Sequence, residues 1–202
     1  MARHPSYPSL ASLQADNRAC RACAEAGYPI ESPPVLEGHA GQQAMIVGQA
    51  PGAVEGIEGR PWRGRAGRTL RRWLELDEDA FTETFYCCSV TRCYPGKSPG
   101  GRGDRTPSRV ELDLCAFWLE HELALVAPRL ILTVGGLASA RVLGIRRLTE
   151  HVGERVALGE ATAIPLPHPS GASGWMNAPE NRRRLESALA VVREELERLP
   201  SA

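Results

Sequence analysis

The chain has 202 residues, of which 43% are hydrophobic, and its formal net charge at pH 7 is zero. This length is enough to bury the core of one ordinary α/β domain or of two small domains. The zero net charge means that a nucleic-acid partner must be met by a local patch of positive charge. The chain has no apolar run of about 18 residues and no hydrophobic signal core at its start, so we expect a cytoplasmic protein that does not contact a membrane.

Hydrophobic periodicity and turn-forming residues predict short strands that alternate with helices. The longest central helix, 108–127, begins with Ser108 and Glu111 in a capping box. Short strands separated by helices predict a parallel sheet that is covered on both faces. No repeat or linker is visible, so we expect a single domain over 1–202, with 1–10 flexible. The predicted helices are 8–26, 66–77, 108–127, 137–144 and 178–198, and the predicted strands are 44–49, 84–90, 129–135 and 161–167.

Six cysteines in a chain of this length are not typical of a disulfide framework, but their spacing allows a metal site. Cys20 and Cys23 form a C-x-x-C pair near the start of the chain. Such a pair, together with two distant cysteines, can bind zinc or an iron–sulfur cluster. Spacing alone leaves merely buried thiols equally open. The distant cysteines are Cys87, Cys88, Cys93 and Cys115.

Three segments rich in glycine, proline and polar residues follow directly after predicted strands. Parallel sheets bind ligands at the carboxyl ends of their strands, so these segments predict one shared site. The first segment leads into an arginine-rich stretch, and arginine is suited to bidentate contacts with phosphate. The segments are "GQAPG" (48–52), "SVTRCYPG" (89–96) and "HPSGASGWMN" (168–177), and the arginines are Arg60, Arg63, Arg65, Arg68, Arg71 and Arg72.

Taken together, these segments resemble the uracil-DNA glycosylase superfamily, and most closely its iron–sulfur-containing family 4. The stretch "GQAPGAVEGIEGRPWRGRAG" (48–67) is similar to the first motif of that family, in which a G-E-x-P-G turn leads to G-R-P-F-x-G-x-A-G. "RCYPG" (92–96) resembles K-C-R-P-P, and "HPS" (168–170) matches the last motif. "RTPSRVELDLC" (105–115) resembles the segment that leads to the last cysteine of the family. The similarity runs from about Cys20 to the C-terminal helix.

The resemblance implies a three-layer α/β/α sandwich around a four-stranded parallel sheet. It also implies a monomeric, monofunctional DNA-repair enzyme that hydrolyses the N-glycosidic bond of uracil in DNA and leaves an abasic site. Cys87 and Cys88 are then small buried residues of a strand. The implied ligands of a structural [4Fe-4S] cluster are Cys20, Cys23, Cys93 and Cys115.

The same resemblance assigns roles around a base that is flipped out of the duplex. Trp62 takes the place of the phenylalanine that stacks on the uracil, and His168 matches the histidine over the uracil O2, where negative charge develops. The backbone amides of Gly48 and Gln49 contact the base or the sugar. Without the resemblance, Trp62 packed under its loop and His168 in an ordinary turn are the alternatives.

Two positions depart from the family pattern. Gln49 stands where family 4 has a glutamate, and an amide cannot act as a general base. Glu55 matches a later acidic position of the motif and is our candidate for orienting the attacking water. Ser89 stands where the family has the asparagine that reads uracil. Its shorter hydroxyl makes hypoxanthine or xanthine conceivable as further substrates, although uracil remains the expected one.

DNA contacts are predicted on two sides of the pocket. Arg63 and Arg65 lie in the loop beside Trp62, and Ser170 and Trp175 lie in the segment after the last predicted strand. Solvated arginines, and a tryptophan that covers the core, are the structural alternatives. The residue that fills the space left by the flipped base is expected among Ala172, Trp175 and Met176.

Two other functional classes remain open on the sequence. Without the family's glutamate and asparagine, the chain could bind deaminated bases or abasic sites in DNA without turnover. A zinc site in place of a cluster would allow a different sheet enzyme that acts on phosphorylated small molecules. Retained binding of damaged DNA without excision would identify the first class, and cluster absorbance in fresh protein would argue against the second.

Overall fold

A computed structural model describes residues 6–101, 103–170 and 174–200. Helices and strands alternate over most of these residues. The helices are α1 Leu10–Ala19, α2 Ala22–Glu25, α3 Ala53–Glu58, α4 Arg65–Leu74, α5 Glu78–Thr84, α6 Arg109–Val126, α7 Gly136–Leu143, α8 Leu148–His151 and α9 Pro179–Glu197. The strands are β1 Ala44–Gly48, β2 Phe85–Ser89, β3 Leu130–Val134, β4 Val156–Leu158 and β5 Ala161–Leu166, and a short 3-10 turn spans Trp175–Asn177.

The sheet contains the four predicted strands, which run parallel, and one further strand. Its order is β2-β1-β3-β5-β4, and β4 runs antiparallel to β5 at the edge. The expected count of four strands is therefore corrected to five. β4 has three residues and none of them is buried, so its apolar run is shorter than the runs by which the other strands were predicted.

Apolar side chains from alternate positions of the strands form two clusters on opposite faces of the sheet. Ile46 belongs to the first cluster and its neighbour Val47 to the second. Helices therefore pack on both faces of the described sheet. No helix among the described residues is both long and apolar enough to cross a membrane. Helical residues of the first cluster include Leu70, Phe81 and Leu189, and those of the second include Leu13, Trp118 and Ala138.

The helices differ from the prediction in four places. The helix expected over 8–26 is broken at Cys20 into α1 and α2. The segment 53–58, expected as loop, forms α3, because Glu55 Oε2 accepts a hydrogen bond from the Gly52 amide at the start of the helix. A glycine in the left-handed conformation ends this helix, and the short α5 and α8 were not predicted.

Part of the segment expected to be flexible lies within the described residues. Tyr7, ahead of α1, contacts Phe117 of α6, with ring centroids 6.2 Å apart. The Tyr7 hydroxyl also donates to Asp16 at 3.1 Å. The chain is therefore attached to α6 from Tyr7 onward.

The capping box predicted for α6 is confirmed. Ser108 Oγ accepts from the Glu111 amide at 3.3 Å, and Glu111 accepts from the Ser108 amide at 2.7 Å. Arg105 donates to both carboxylate oxygens of Glu111, at 2.7 and 2.8 Å, and this ion pair lowers the pKa of Glu111 to about 2. The long loop after β2 is thereby attached to the start of α6.

Candidate functional site

A cavity of about 310 Å³ lies at the carboxyl ends of β1, β2 and β5. β1 has β2 on one side and β3 on the other, so the winding of the chain reverses here, where such sheets bind ligands. The sheet register places Gly48 directly beside Ser89. The predicted site residues that line this cavity are Gly48, Gln49, Glu55, Trp62, Arg65, Ser89, His168 and Ser170.

Trp62 forms one wall of the cavity in a strained backbone conformation. Its φ of 58° is a left-handed value that is uncommon for a bulky residue and costs on the order of 1–3 kcal/mol. Arg71 Nη1 donates to the Trp62 carbonyl at 2.8 Å, and Gly67 lets α4 approach the same carbonyl closely. The indole lies against Gly48, where an added Cβ would be 3.0 Å from Trp62 Cζ2. With 9% of its surface exposed, Trp62 both lines the cavity and packs in the core.

The neighbours of His168 fix its imidazole in the neutral form. The Ser170 amide donates to Nδ1 at 3.3 Å, and the Ser170 hydroxyl lies 2.9 Å from the same nitrogen. Because a backbone amide can only donate, Nδ1 is an acceptor and the ring proton is assigned to Nε2. Burial lowers the pKa of His168 despite the opposing charges of Asp104 and Glu55. The cavity is therefore lined by a neutral imidazole with an N–H to donate.

Glu55 lines the cavity, but backbone amides occupy both of its carboxylate oxygens. Oε1 accepts from the Gly64 amide at 2.7 Å, and Oε2 accepts from the Gly52 amide at 3.2 Å. This side chain connects the start of α3 to the start of α4 and so closes the segment 52–64. The carboxylate is consequently less available to orient water than its place in the sequence motif indicates.

Ser89 is buried at the end of β2, and its hydroxyl donates to the Thr91 carbonyl at 2.8 Å. Because this bond uses its single hydroxyl proton, Ser89 can act only as an acceptor toward a molecule in the cavity. The carbonyls of Gly48 and Gln49 accept from the amides of Val90 and Thr91, at 2.9 and 3.2 Å. These bonds hold the ends of β1 and β2 side by side.

Acidic side chains neutralise part of the arginine-rich stretch. Arg63 forms ion pairs with Glu58, at 2.8 Å, and with Glu78, and it is not part of the cavity lining. Arg65 forms no ion pair with the described acidic residues of this region, and its Nη2 donates to the Ser170 carbonyl at 3.3 Å. The structure thus brings Arg65, but not Arg63, to the cavity. The arginines that approach Glu78 are Arg60, Arg63 and Arg71.

Two of the three residues expected to fill the space of a flipped base lie in the described chain. Trp175 and Met176, in the 3-10 turn, pack against the core cluster to which α9 contributes. Trp175 Nε1 donates to Thr149 Oγ1 at 2.8 Å, and Trp175 is not among the residues that line the cavity. Ala172 lies outside the described residues.

Two cavity residues come from the long loop after β2 and were not predicted. Lys97 and Asp104 pair across this loop at 2.8 Å, and both line the cavity. The Asp104 Oδ1 that accepts from Lys97 also accepts from the Tyr94 hydroxyl at 3.1 Å. Their only sequence signal is the place of Asp104 directly before "RTP", since the loop composition by itself indicates no site.

A second cavity, of about 440 Å³, is lined by the four cysteines that the resemblance selects as cluster ligands. All six cysteines are free thiols, and Cys87 and Cys88 are buried in β2. Burial, and then the nearby Cys115, raise the pKa of Cys23 to about 11 and that of Cys93 to about 12. The cysteines that share the cavity are Cys20, Cys23, Cys93 and Cys115.

Arg92 supplies this second cavity with unpaired donors. Its side chain is 1% exposed and forms an ion pair with the buried Glu122, which also accepts from Asn17 of α1 at 3.1 Å. Its Nε and Nη1 are buried without a hydrogen-bond partner among the described atoms, and Arg92 lines the cavity. Because unpaired buried donors are costly, these groups fit an anionic group held by the cysteines.

No three His, Cys, Asp or Glu side chains of the described residues are placed to hold a single metal ion. In an iron–sulfur cluster with four irons, each thiolate binds a different iron. The four sulfur atoms therefore lie farther apart than the ligands of a single ion do. The cysteine cavity, with its buried cation, therefore fits a cluster in the chemistry of its donors.

The cavity at the strand ends gives this α/β protein an aromatic wall, an imidazole donor and a hydroxyl acceptor, which together suit a flat polar ring of the nucleobase kind. The chain matches the family model described as "Uracil DNA glycosylase superfamily" over residues 37–192, and it belongs to that superfamily. It is similar to proteins named type-4 uracil-DNA glycosylase from three organisms. The relative from Thermotoga maritima is 30% identical over 139 residues, which cover 67% of this chain and 69% of the relative.

Of two further relatives, one is similar over more of the chain at lower identity and the other over less of the chain at higher identity. The protein from Sulfurisphaera tokodaii is 24% identical over 195 residues, which cover 92% of this chain and 84% of the relative. The protein from Pyrobaculum aerophilum is 36% identical over 107 residues, which cover 53% of this chain and 50% of the relative. The similarity therefore includes both the cavity and the cysteine region of the chain.

Proposed function

We propose that the protein is a DNA-repair hydrolase that cleaves the N-glycosidic bond of uracil in DNA and leaves an abasic site. The observation that carries this proposal is the neutral imidazole of His168 in a cavity walled by Trp62. A donor that is fixed before the reaction, and needs no proton from solvent, suits a departing base on which negative charge develops. Membership of the superfamily and the similarity to type-4 enzymes support the same activity.

The flipped uracil enters the cavity and stacks on the indole of Trp62, which contributes about 1–3 kcal/mol to binding. Ser89 Oγ, limited to the role of acceptor by its bond to Thr91, accepts from the N3–H of uracil. Cytosine carries an unprotonated acceptor at N3, so the same serine disfavours it. Hypoxanthine also has a ring N–H at its Watson–Crick edge, and Ser89 therefore does not exclude it.

Bond cleavage leaves the electron pair on the uracil, and the negative charge extends to O2. His168 Nε2–H donates to this oxygen, while Ser170 keeps the imidazole in the required tautomer. The amides of Gly48 and Gln49 contact the base or the sugar at the strand end. The proposed enzyme is a monomer, because these groups complete the site without a residue from a second chain.

The DNA surface is proposed to surround the mouth of this cavity. Arg65 and Ser170 stand at its edge and are the nearest phosphate contacts. Arg63 exchanges its pairing with Glu58 for a phosphate when DNA is bound. Trp175 contributes an outer apolar contact from the 3-10 turn. A DNA substrate also agrees with the cytoplasmic location expected from the sequence.

The described residues support a three-layer α/β/α sandwich that forms one domain, because both apolar clusters share the same sheet. A [4Fe-4S] cluster held by the four cysteines of the second cavity would join α2, the loop after β2 and α6. When bound, such a cluster supplies structural cross-linking and no step of the hydrolysis. Arg92, with its unpaired Nε–H and Nη1–H, would offset the negative charge of such a cluster.

The cluster proposal predicts a difference between two cysteine substitutions. Fresh wild-type protein, purified without oxygen, should absorb in the visible range and contain about four irons per chain. Cys93→Ala should lose the iron and the colour. Cys87→Ala, which changes a buried thiol outside the cavity, is the matched control and should keep both. Zinc in place of iron, or equal loss of iron from both variants, would contradict the proposed ligand set.

The proposed activity is tested by single-turnover excision from matched oligonucleotides that carry uracil, hypoxanthine, xanthine or cytosine, with alkaline cleavage of the abasic product. We expect release of uracil and none of cytosine, because the acceptor Ser89 matches only a base with a ring N–H at that edge. Binding of each oligonucleotide is measured in parallel. Binding without release of any base, with the iron retained, would place the chain in the DNA-binding class.

A further inference from the structure

Hydrolysis at the sugar needs a group that orients water toward C1′ and accepts its proton, and carboxylates commonly serve in this role. The acidic side chains that line the base cavity, among the described residues, are Glu55 and Asp104. Both oxygens of Glu55 already accept backbone amides, at 2.7 and 3.2 Å. Transfer of a proton to either oxygen would weaken the hydrogen bonds that close the loop.

The carboxylate of Asp104 is held differently. Oδ1 accepts from Lys97 Nζ at 2.8 Å and from the Tyr94 hydroxyl at 3.1 Å, which fixes the orientation of the group. Oδ2 accepts from no described residue. It faces Gly52, where an added Cβ would lie 3.4 Å from Oδ2, so the missing side chain keeps this approach open. The side chain is 40% exposed and is therefore accessible to water.

The position of Asp104 also relates it to the imidazole donor. Burial lowers the pKa of His168, and the negative charge of Asp104 acts in the raising direction, more strongly than that of Glu55. The two side chains reach the same cavity from different loops, one after β2 and one after β5. The charged or titratable groups that share the cavity or a hydrogen bond with Asp104 are Lys97, Tyr94, Glu55, Arg65, Cys88 and His168.

We propose that Asp104, and not Glu55, is the carboxylate that orients and deprotonates the attacking water. This inference rests on the proposed function. The water oxygen bonds to C1′ of the deoxyribose, and one water proton passes to Asp104 Oδ2. The bond from C1′ to N1 of uracil breaks, and its electron pair leaves with the base. Glu55 is a positioning residue that holds the loop carrying Trp62.

The test compares Asp104→Asn with Glu55→Gln in single-turnover excision of uracil. Asp104→Asn should lower the rate on the order of 10²-fold while the affinity for uracil-containing DNA stays within a factor of three, because the amide keeps the shape but cannot take a proton. Glu55→Gln places an amide group against two backbone donors, so it should lower the melting temperature more than Asp104→Asn does. Asp113→Asn, on the outer surface of α6, is the matched control and should keep the wild-type rate.

A leaving-group comparison shows whether the loss in Asp104→Asn is chemical. Excision of 5-fluorouracil, whose anion is more stable, should show the same fold loss in Asp104→Asn, because the lost group acts on water and not on the base. If Asp104→Asn is less stable than wild type, its excision rate is compared with that of Lys97→Met. This second variant also breaks the loop ion pair but retains the carboxylate. Equal loss of rate in Lys97→Met and Asp104→Asn would overturn the proposal.

The outcomes also separate this inference from the proposed function. A wild-type protein that releases no uracil refutes the function itself. A wild-type enzyme that works, with Asp104→Asn within threefold of its rate, leaves the function intact and refutes Asp104 as the group that takes the proton. The expected pattern is a working wild type and a slow but DNA-binding Asp104→Asn.

Discussion

His168→Ala should lower the single-turnover rate of uracil excision by about 10²–10³-fold, the usual cost of losing one preorganised donor to a developing anion. The structure gives the reason: the Ser170 amide makes Nδ1 an acceptor, so Nε2–H is the donor in the cavity. The measurement is single-turnover excision with uracil and with 5-fluorouracil. The loss should be smaller for 5-fluorouracil, because its anion needs less help. An equal loss with both bases would contradict the role of a donor to the leaving group.

The same residue sets an expected pH dependence. Burial lowers the pKa of His168 below its ordinary value of about 6.5, so the neutral donor persists when the pH falls through that value. Wild-type excision should therefore remain high at pH 6.5 and decline only at lower pH. The folded state binds fewer protons there than the unfolded state, so stability decreases as the pH falls below about 6.5. His168→Asn should remove this part of the loss of stability.

Gly67→Ala should destabilise the protein by about 3 kcal/mol, although alanine normally favours a helix over glycine. An added Cβ at Gly67 would lie 1.6 Å from the Trp62 carbonyl oxygen, so α4 or the Trp62 loop must move. That carbonyl is also the acceptor for Arg71 and belongs to a residue already in a strained conformation. The melting temperature should fall by roughly 6–12 °C, and uracil binding should weaken because the stacking wall moves.

Gly136→Ala is the matched control for this substitution. Gly136 begins α7, is exposed, and has no atom within 4 Å of an added Cβ. It should change the free energy of unfolding by between zero and about 1 kcal/mol in the stabilising direction. Equal effects of the two substitutions, measured at the same heating rate and iron content, would show that the close approach to Trp62 is not what requires glycine at 67.

Most residues that line the cavity could be predicted from the sequence, because they belong to short motifs that directly follow strands. One motif begins at Gly48 and includes Trp62, and another begins at His168. Each follows a strand whose carboxyl end lies at the same edge of the sheet. In a parallel sheet this order of strands and loops is enough to predict that the segments meet. The edge strand β4 was missed because a run of three residues is too short to show a period.

The resemblance marked Glu55 by position, whereas the fold commits both of its oxygens to the loop and leaves Oδ2 of Asp104 open. Arg63 and Arg65 are equivalent in the sequence, but only Arg63 has acidic side chains folded against it. These differences depend on contacts that only the folded loops form, such as that of Glu55 with the Gly64 amide and that of Arg63 with Glu78.

The sequence by itself determined the family, the order of the strands along the chain and the residue types available to the site. Local patterns carry this information, because hydrophobic periods, turn residues and motif spacing involve only near neighbours. Tertiary structure alone decided which carboxylate has an oxygen without a hydrogen bond and which arginine is neutralised by ion pairs. It also decided that the Ser89 hydroxyl is left with the role of acceptor. Hydrogen bonds and ion pairs within the loops fix those properties, and the loops take the conformations that form these bonds only once the assembled sheet holds their ends.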